Sequence, residues 1–104
     1  MLLSNTSTIA GREIAETIDI ARGSTVRARN VGRGIFAGLK NLVGGEISEY
    51  TKLMAQSREQ AIDRMIADAE RMGADAIVNV RFTTAMVMAG CSEILAYGTA
   101  VRLK

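Results

Sequence analysis

Apolar residues recur at three- and four-residue spacing between Glu46 and Gly73, where Tyr50, Leu53, Met54, Ala61, Met65, Ala69 and Met72 are separated by Lys52, Glu59, Asp63 and Glu70. That period predicts one long helix with a single face built for burial. Ser48 suits the N-cap with Glu49 in the first turn, and Arg71 stands in the last turn before Gly73, which suits a helix terminator. No glycine or proline interrupts the segment.

On either side the period shortens to two. Ile14, Ile18 and Ile20 alternate with Glu13, Ala15, Thr17 and Asp19, so Glu13 to Arg22 reads as a strand that Gly23 ends. Glu16 falls on the isoleucine side, which places it either at a sheet rim or in a polar site where it must find a partner. Ala76 to Val87 reads as a second strand, with Val78, Val80, Phe82 and Met86 on one face and Ile77, Asn79, Arg81 and Thr83 on the other. After a hairpin connection at Ala89-Gly90, Glu93 to Leu103 is the third strand, with Leu95, Tyr97, Val101 and Leu103 on one face and Ile94, Ala96, Gly98 and Ala100 on the other. Residues Leu2 to Ala10 suit a small edge strand. Between Asn30 and Val43, Ile35, Phe36, Leu39, Leu42 and Val43 have helical spacing, which predicts a short helix before the long one. Gly32, Gly34 and Gly38 weaken it by about 1 kcal/mol each relative to alanine, so close approach of another backbone is the expected compensation. One helical layer leaves the second face of a three-stranded sheet open. That face is expected to carry apolar groups such as Ile77 or Ile94 and to favour self-association, a symmetric ring or dimer.

Composition limits the picture to one domain, residues 1–104, with an aliphatic core: 48% of residues are hydrophobic and 4% aromatic. A net charge of +2 is too small to imply nucleic acid as a partner. The charge is unevenly placed, with six bases against three acids from Met1 to Gly45 and seven acids against four bases from Glu46 to Asp75. A basic first part and an acidic helix could pair within or between subunits, or both could face solvent. The single cysteine, Cys91, excludes an internal disulfide and suits a reducing compartment. Met1 to Asn5 lacks the pattern of a signal peptide, and no segment approaches the roughly 18 apolar residues of a membrane span, so the expected location is the cytoplasm.

Four landmarks have a recognisable order: Gly11 with Glu16 in the first strand, Gly34-Ile35-Phe36-Ala37-Gly38-Leu39 leading into Val43-Gly44-Gly45, Met72-Gly73-Ala74-Asp75-Ala76-Ile77-Val78, and Tyr97-Gly98-Thr99-Ala100-Val101. In this order and spacing, over nearly the whole chain, the sequence resembles the YbjQ-like family of small proteins labelled heavy-metal-binding. The resemblance implies an α+β fold with a two-layer β-α-β-β core of the dodecin-like type. Its antiparallel sheet, in the order 1-3-2, lies against the helix, and the subunits assemble as a ring, a homopentamer.

The metal label meets a ligand inventory without histidine. Soft metals favour thiolate, thioether and imidazole donors, which leaves Met86 and Met88, placed by their spacing on one strand face, and Cys91 beyond the turn. The same residues suit ordinary core filling. Glu46 and Glu49 offer hard oxygen ligands, or serve only as acids at a helix N-terminus. Absence of histidine also removes the usual neutral-pH acid or base, and Cys91 lacks the partner a nucleophile needs, so no catalytic residue is expected and the protein reads as a non-enzyme. Arg27, Arg29 and Arg33, repeated around a ring, would concentrate positive potential and could hold an anionic small molecule, with Glu16 a further polar candidate, or the arginines could be solvated or paired. The resulting expectation is a non-enzymatic ring that binds a metal ion or small ligand at subunit interfaces, the alternative being a structural or protein-interaction ring without one.

Overall fold

The computed structural model describes residues 1–28, 48–88 and 91–104, with side chains described for 1–26, 52–86 and 91–104. The expected short helix from Asn30 to Val43 and the Ala89-Gly90 connection lie outside the described residues. Within them the fold is α+β: strand β1 (Leu2–Leu3), strand β2 (Ile14–Ala28), helix α1 (Ser48–Arg71), strand β3 (Ala76–Met88) and strand β4 (Cys91–Leu103). The four strands form one mixed sheet in the order β1-β3-β4-β2. This replaces the expected three-stranded antiparallel sheet of order 1-3-2, because the short N-terminal strand adds to the β3 edge in parallel, Leu2 opposite Ala76 and Leu3 opposite Ile77.

The helix ends as its sequence predicts. Gly73 has φ +78°, and the Gly73 and Ala74 amides donate to the Glu70 and Ala69 carbonyls at 3.0 Å, which closes the last turn in a Schellman motif. Along the inner face Ala61, Met65 and Ala69 are fully buried, joined by Ser57, a polar residue that the apolar period does not flag. The Ser57 hydroxyl donates to the Leu53 carbonyl at 2.8 Å, and the Thr25 hydroxyl donates to the Ser57 carbonyl at 3.1 Å, so these two buried polar groups are satisfied.

Gly23 does not end its strand. It lies inside β2, buried, at the closest approach of the helix: a Cβ there would meet the Met65 nitrogen at 2.3 Å and the Ala61 carbonyl oxygen at 2.4 Å. Only a residue without a side chain lets the helix backbone settle so near the strand. On either side of it Ala21 and Thr25 are also buried, so the odd-numbered positions of this part of β2 face the helix.

The expected faces of two strands are corrected by bulges. Register steps between Ile14 and Glu16 and between Thr17 and Asp19 each set an extra β2 residue against β4, which breaks the period of two. The three isoleucines consequently separate. Ile14 packs with Val78, Val101 and Leu103, Ile18 packs with the helix-side core, and Ile20 is 55% exposed. In β3 the residue Asn79 takes φ +53°, and the register steps from Val78 opposite Thr99 to Arg81 opposite Tyr97. This moves Val80 to the helix side with Ile77, while Val78 stays with Val101, so Val78 and Val80 do not share a face.

Ile77 and Ile94 are buried on the helix side and do not form an open patch. The second face is partly closed by the N-terminal segment, whose Ile9 covers Val78, Val101 and Leu103. Its open part instead carries Ile20, Val26 and Tyr97. The helix packs mainly on β2, less on β4 and barely on β3. In consequence every residue from Arg81 to Met86 is exposed, although Phe82 lies opposite buried Ala96. The molecule measures 54 × 25 × 16 Å with a radius of gyration of 17.0 Å. A compact chain of this length has about 13 Å. The β2 strand alone, at about 3.3 Å per residue, accounts for the long dimension.

Gly23→Ala is expected to destabilise the protein by about 1–3 kcal/mol, because helix backbone must move to admit the methyl group. The midpoint of urea unfolding measures it, with the denaturant slope unchanged.

Candidate functional site

Four of the residues chosen for their chemistry come together at the hairpin end of the sheet. Arg27, which the expected end of the first strand at Gly23 leaves outside it, belongs to β2 and stands opposite Ser92, which in turn faces Met86. Cys91 pairs with Ala28 on one side and Met88 on the other. With strands about 4.8 Å apart, these positions span roughly 10 Å across the sheet. The antiparallel helix extends toward the same end, since Ser57 sits over Thr25 and the earlier turns run onward from there. Glu49 lies in the first of those turns, while Glu46, Arg29 and Arg33 lie outside the described residues.

The geometry at this end differs from a regular strand. The register steps by one residue between Met86 and Met88, interrupting the alternation that would place both on one face. Met86 is 75% exposed, and Cys91 is a half-buried free thiol. Met86 shares its face with Ser92, and Cys91, the next residue of β4, faces the other way. The thioether and the thiol therefore lie on adjacent strands but on opposite faces, short of the three or four convergent donors that a tight site needs. Among the described residues no three Cys, Asp or Glu side chains gather closely enough to hold an ion. A complete shell therefore requires donors from beyond one copy's described residues.

Glu16 is remote from this end. Eleven residues separate it from Arg27 along one strand, about 36 Å at strand rise. Its carboxylate accepts from Arg102 Nη1 at 2.7 Å, with both side chains about half exposed. The position is a rim, and such an exposed pair contributes no more than about 1 kcal/mol.

Among the described residues no ion pair joins the basic first part to the acidic helix, and the contacts between them run through backbone groups. Asp68 accepts from the Arg71 guanidinium within the helix and from the Arg22 amide of β2 at 3.1 Å. The Arg71 hydrogen bond, then that of the Arg22 amide, holds the Asp68 carboxyl below its ordinary value of 3.8. Arg64 Nη1 donates to the Ser24 carbonyl. These contacts fasten the helix to β2 on either side of Gly23.

A second feature carried no signal in the apolar pattern. Residues Leu3 to Thr6 run beside β3 at its bulge and, with Val80, Arg81 and Phe82, line an open concavity at the sheet edge. Asn79 takes a positive φ, which asparagine adopts more readily than other side-chain-bearing residues but too seldom for the sequence to mark the bulge.

Taken together, the described residues define a small α+β protein with a long helix on a long, strongly bulged sheet that is exposed from Arg81 to Met86. The profile of the YbjQ family, described as "Putative heavy-metal-binding", matches residues 1–104, and the chain belongs to that family. Relatives named "UPF0145 protein" include one from Methanosarcina acetivorans, 58% identical over 99% of this chain and 97% of its own length. One from Halorubrum lacusprofundi is 61% identical over the whole of both chains. A crystal structure of a protein of unknown function from Pediococcus pentosaceus, of the DUF74 family, has a TM-score of 0.66 at 17% identity, covering 100% of this chain and 98% of that one; the likeness is one of fold. Among the described residues no helix is long and apolar enough to cross a membrane.

Because Asp68 titrates lower folded than unfolded, its contribution is complete above the ordinary value of 3.8 and is lost as pH falls through the lowered one. Acid unfolding of Asp68→Asn should therefore show a weaker loss of stability below that value than the wild type, with a lower plateau near neutrality. Equal acid profiles would remove Asp68 as a helix fastening.

Proposed function

We propose that the protein is a non-enzymatic, ring-forming cytoplasmic protein that holds a metal ion or small anionic ligand where the open sheet ends of neighbouring subunits meet. The observation that carries the reading is the segment from Thr83 to Met86, beyond the N-terminal arm, exposed on both faces and, among the described residues, unpaired along its outer edge. A proline-free edge such as Thr83-Thr84-Ala85-Met86, without a charged residue, invites another strand, and such an edge is blunted by being paired or covered. On the opposite side of the sheet the outer edge of β2, the edge away from β4, is also unpaired among the described residues. These two edges are different surfaces, so joining one to the other is a heterologous contact, which gives a ring where the rotation from subunit to subunit closes and an open filament where it does not. Five subunits is the size that the family resemblance suggests, and one helix on one face suits a dodecin-like layout.

In such a ring each hairpin end meets its neighbour. Cys91, Met86 and Met88 would then contribute soft donors from more than one subunit, with Glu49 and Glu46 as oxygen donors, while Arg27, with Arg29 and Arg33, would favour an anion. The lone cysteine supports a reducing compartment. The second reading, a structural or protein-interaction ring without a small ligand, is favoured by the small number of donors gathered in one copy.

Native mass spectrometry of freshly purified protein, with elemental analysis of the same sample, tests the proposal. The expected result is a discrete ring carrying metal or a small anion in a fixed ratio to subunits. For a soft metal, Cys91→Ser with Met86→Leu abolishes uptake. A ring without ligand selects the second reading, and a monomer overturns both.

A further inference from the structure

The concavity at the β1 end of the β3 edge lies within one chain and is distant from the hairpin end. We propose that it is a binding site for a small organic oxyanion, a carboxylate or phosphate joined to an apolar group, with Arg81 as its recognition residue. The site is built by backbone. The Asn79 bulge presents two amides outward: Asn79 donates to the Thr6 carbonyl and Val80 to the Ser4 carbonyl, both at 2.9 Å. Around them the arm is held in shape by its own side chains. The Thr6 hydroxyl donates to the Thr8 carbonyl at 2.7 Å, and the Ser4 and Thr6 hydroxyl oxygens are 2.6 Å apart.

This arrangement fixes the Arg81 guanidinium. Its Nη1 donates to the Asn5 carbonyl at 2.6 Å and to the Val80 carbonyl at 2.9 Å, which uses both hydrogens of that nitrogen. The remaining edge, Nη2 with Nε, is the fork that matches two oxygens of a carboxylate or phosphate. Among the described residues no carboxylate occupies it. Clamping one nitrogen on two carbonyls removes much of the conformational freedom an arginine otherwise loses on binding. Beside the fork the concavity measures about 660 Å³, with Leu3 and Phe82 exposed at 42% and 46% on its walls. That volume falls in the range of small-molecule sites, and apolar walls beside a cationic fork suit an acid with a hydrocarbon or aromatic body better than a bare ion.

The inference goes beyond the ring reading and stands without it, because every group it uses comes from one chain. Isothermal titration of the intact protein with benzoate, phenyl phosphate and benzamide, at constant ionic strength, tests it. Binding of benzoate, of phenyl phosphate or of both, with benzamide at least tenfold weaker, is the expected result, and the better of the two identifies the oxyanion. Arg81→Gln should abolish that binding with its far-UV circular dichroism unchanged. Arg81→Lys, which keeps the charge and loses the fork, should weaken it about tenfold, and it serves as the test should the glutamine variant not fold. Benzamide binding as well as benzoate, no heat from either anion at millimolar concentration, or unaltered affinity in both variants would overturn the proposal. Native mass spectrometry of the same samples reports assembly separately, so failure of this site is distinguishable from failure of the ring.

Discussion

The contact on which the structure depends is the passage of the helix backbone across Gly23. At that point the strand has no side chain, and an added Cβ would lie 2.3 Å from a helix nitrogen. The close approach brings Ala61 and Met65 directly onto the sheet and lets the small residues Ala21, Ala96 and Ala100 make a thin, dry layer with them. Thr25 to Ser57 on one side and Arg22 to Asp68 on the other keep the helix in this track. A core of alanines with one methionine and two isoleucines would pack poorly at ordinary helix–sheet spacing, and here it does not have to.

The same contact decides what is left open. A helix drawn onto β2 and β4 cannot also cover β3, and the N-terminal segment closes only the end of the other face near Val78, Val101 and Leu103. What remains is a long projection of two-sided, exposed sheet that includes Phe82, Met86 and Val26. The elongated shape follows from this. Assembly through these surfaces is the economical way for such a chain to become a compact object.

Much of this organisation is legible in the residues, and the parts that are not have identifiable causes. The long helix is visible because its ends carry chemistry: Gly73 adopts the positive φ that a Schellman turn requires, and Arg71 answers the helix dipole. The hairpin of β3 and β4 is visible from alternation, and with it the nearness of Met86, Met88 and Cys91. Strand faces are less visible. Ile14, Ile18 and Ile20 have the spacing of one face, yet two bulges distribute them to three environments, and bulges leave no mark in an apolar pattern. Asn79 hides a third bulge. Gly23 is ambiguous in kind, because a glycine in a strand pattern suits a terminator as well as a close approach, and only the helix above it decides. The Arg81 concavity is least legible of all, since it depends on carbonyl groups that every sequence possesses.

Hydrogen exchange of those backbone amides between Thr83 and Met86 that point away from β4 tests the central claim most directly, the claim that the uncovered edge is completed by another copy. Slow exchange at working concentration, becoming fast when dilution dissociates the assembly, is the predicted result. Fast exchange of these amides at every concentration would contradict it, because the edge would then be a free surface of a protein that stands alone.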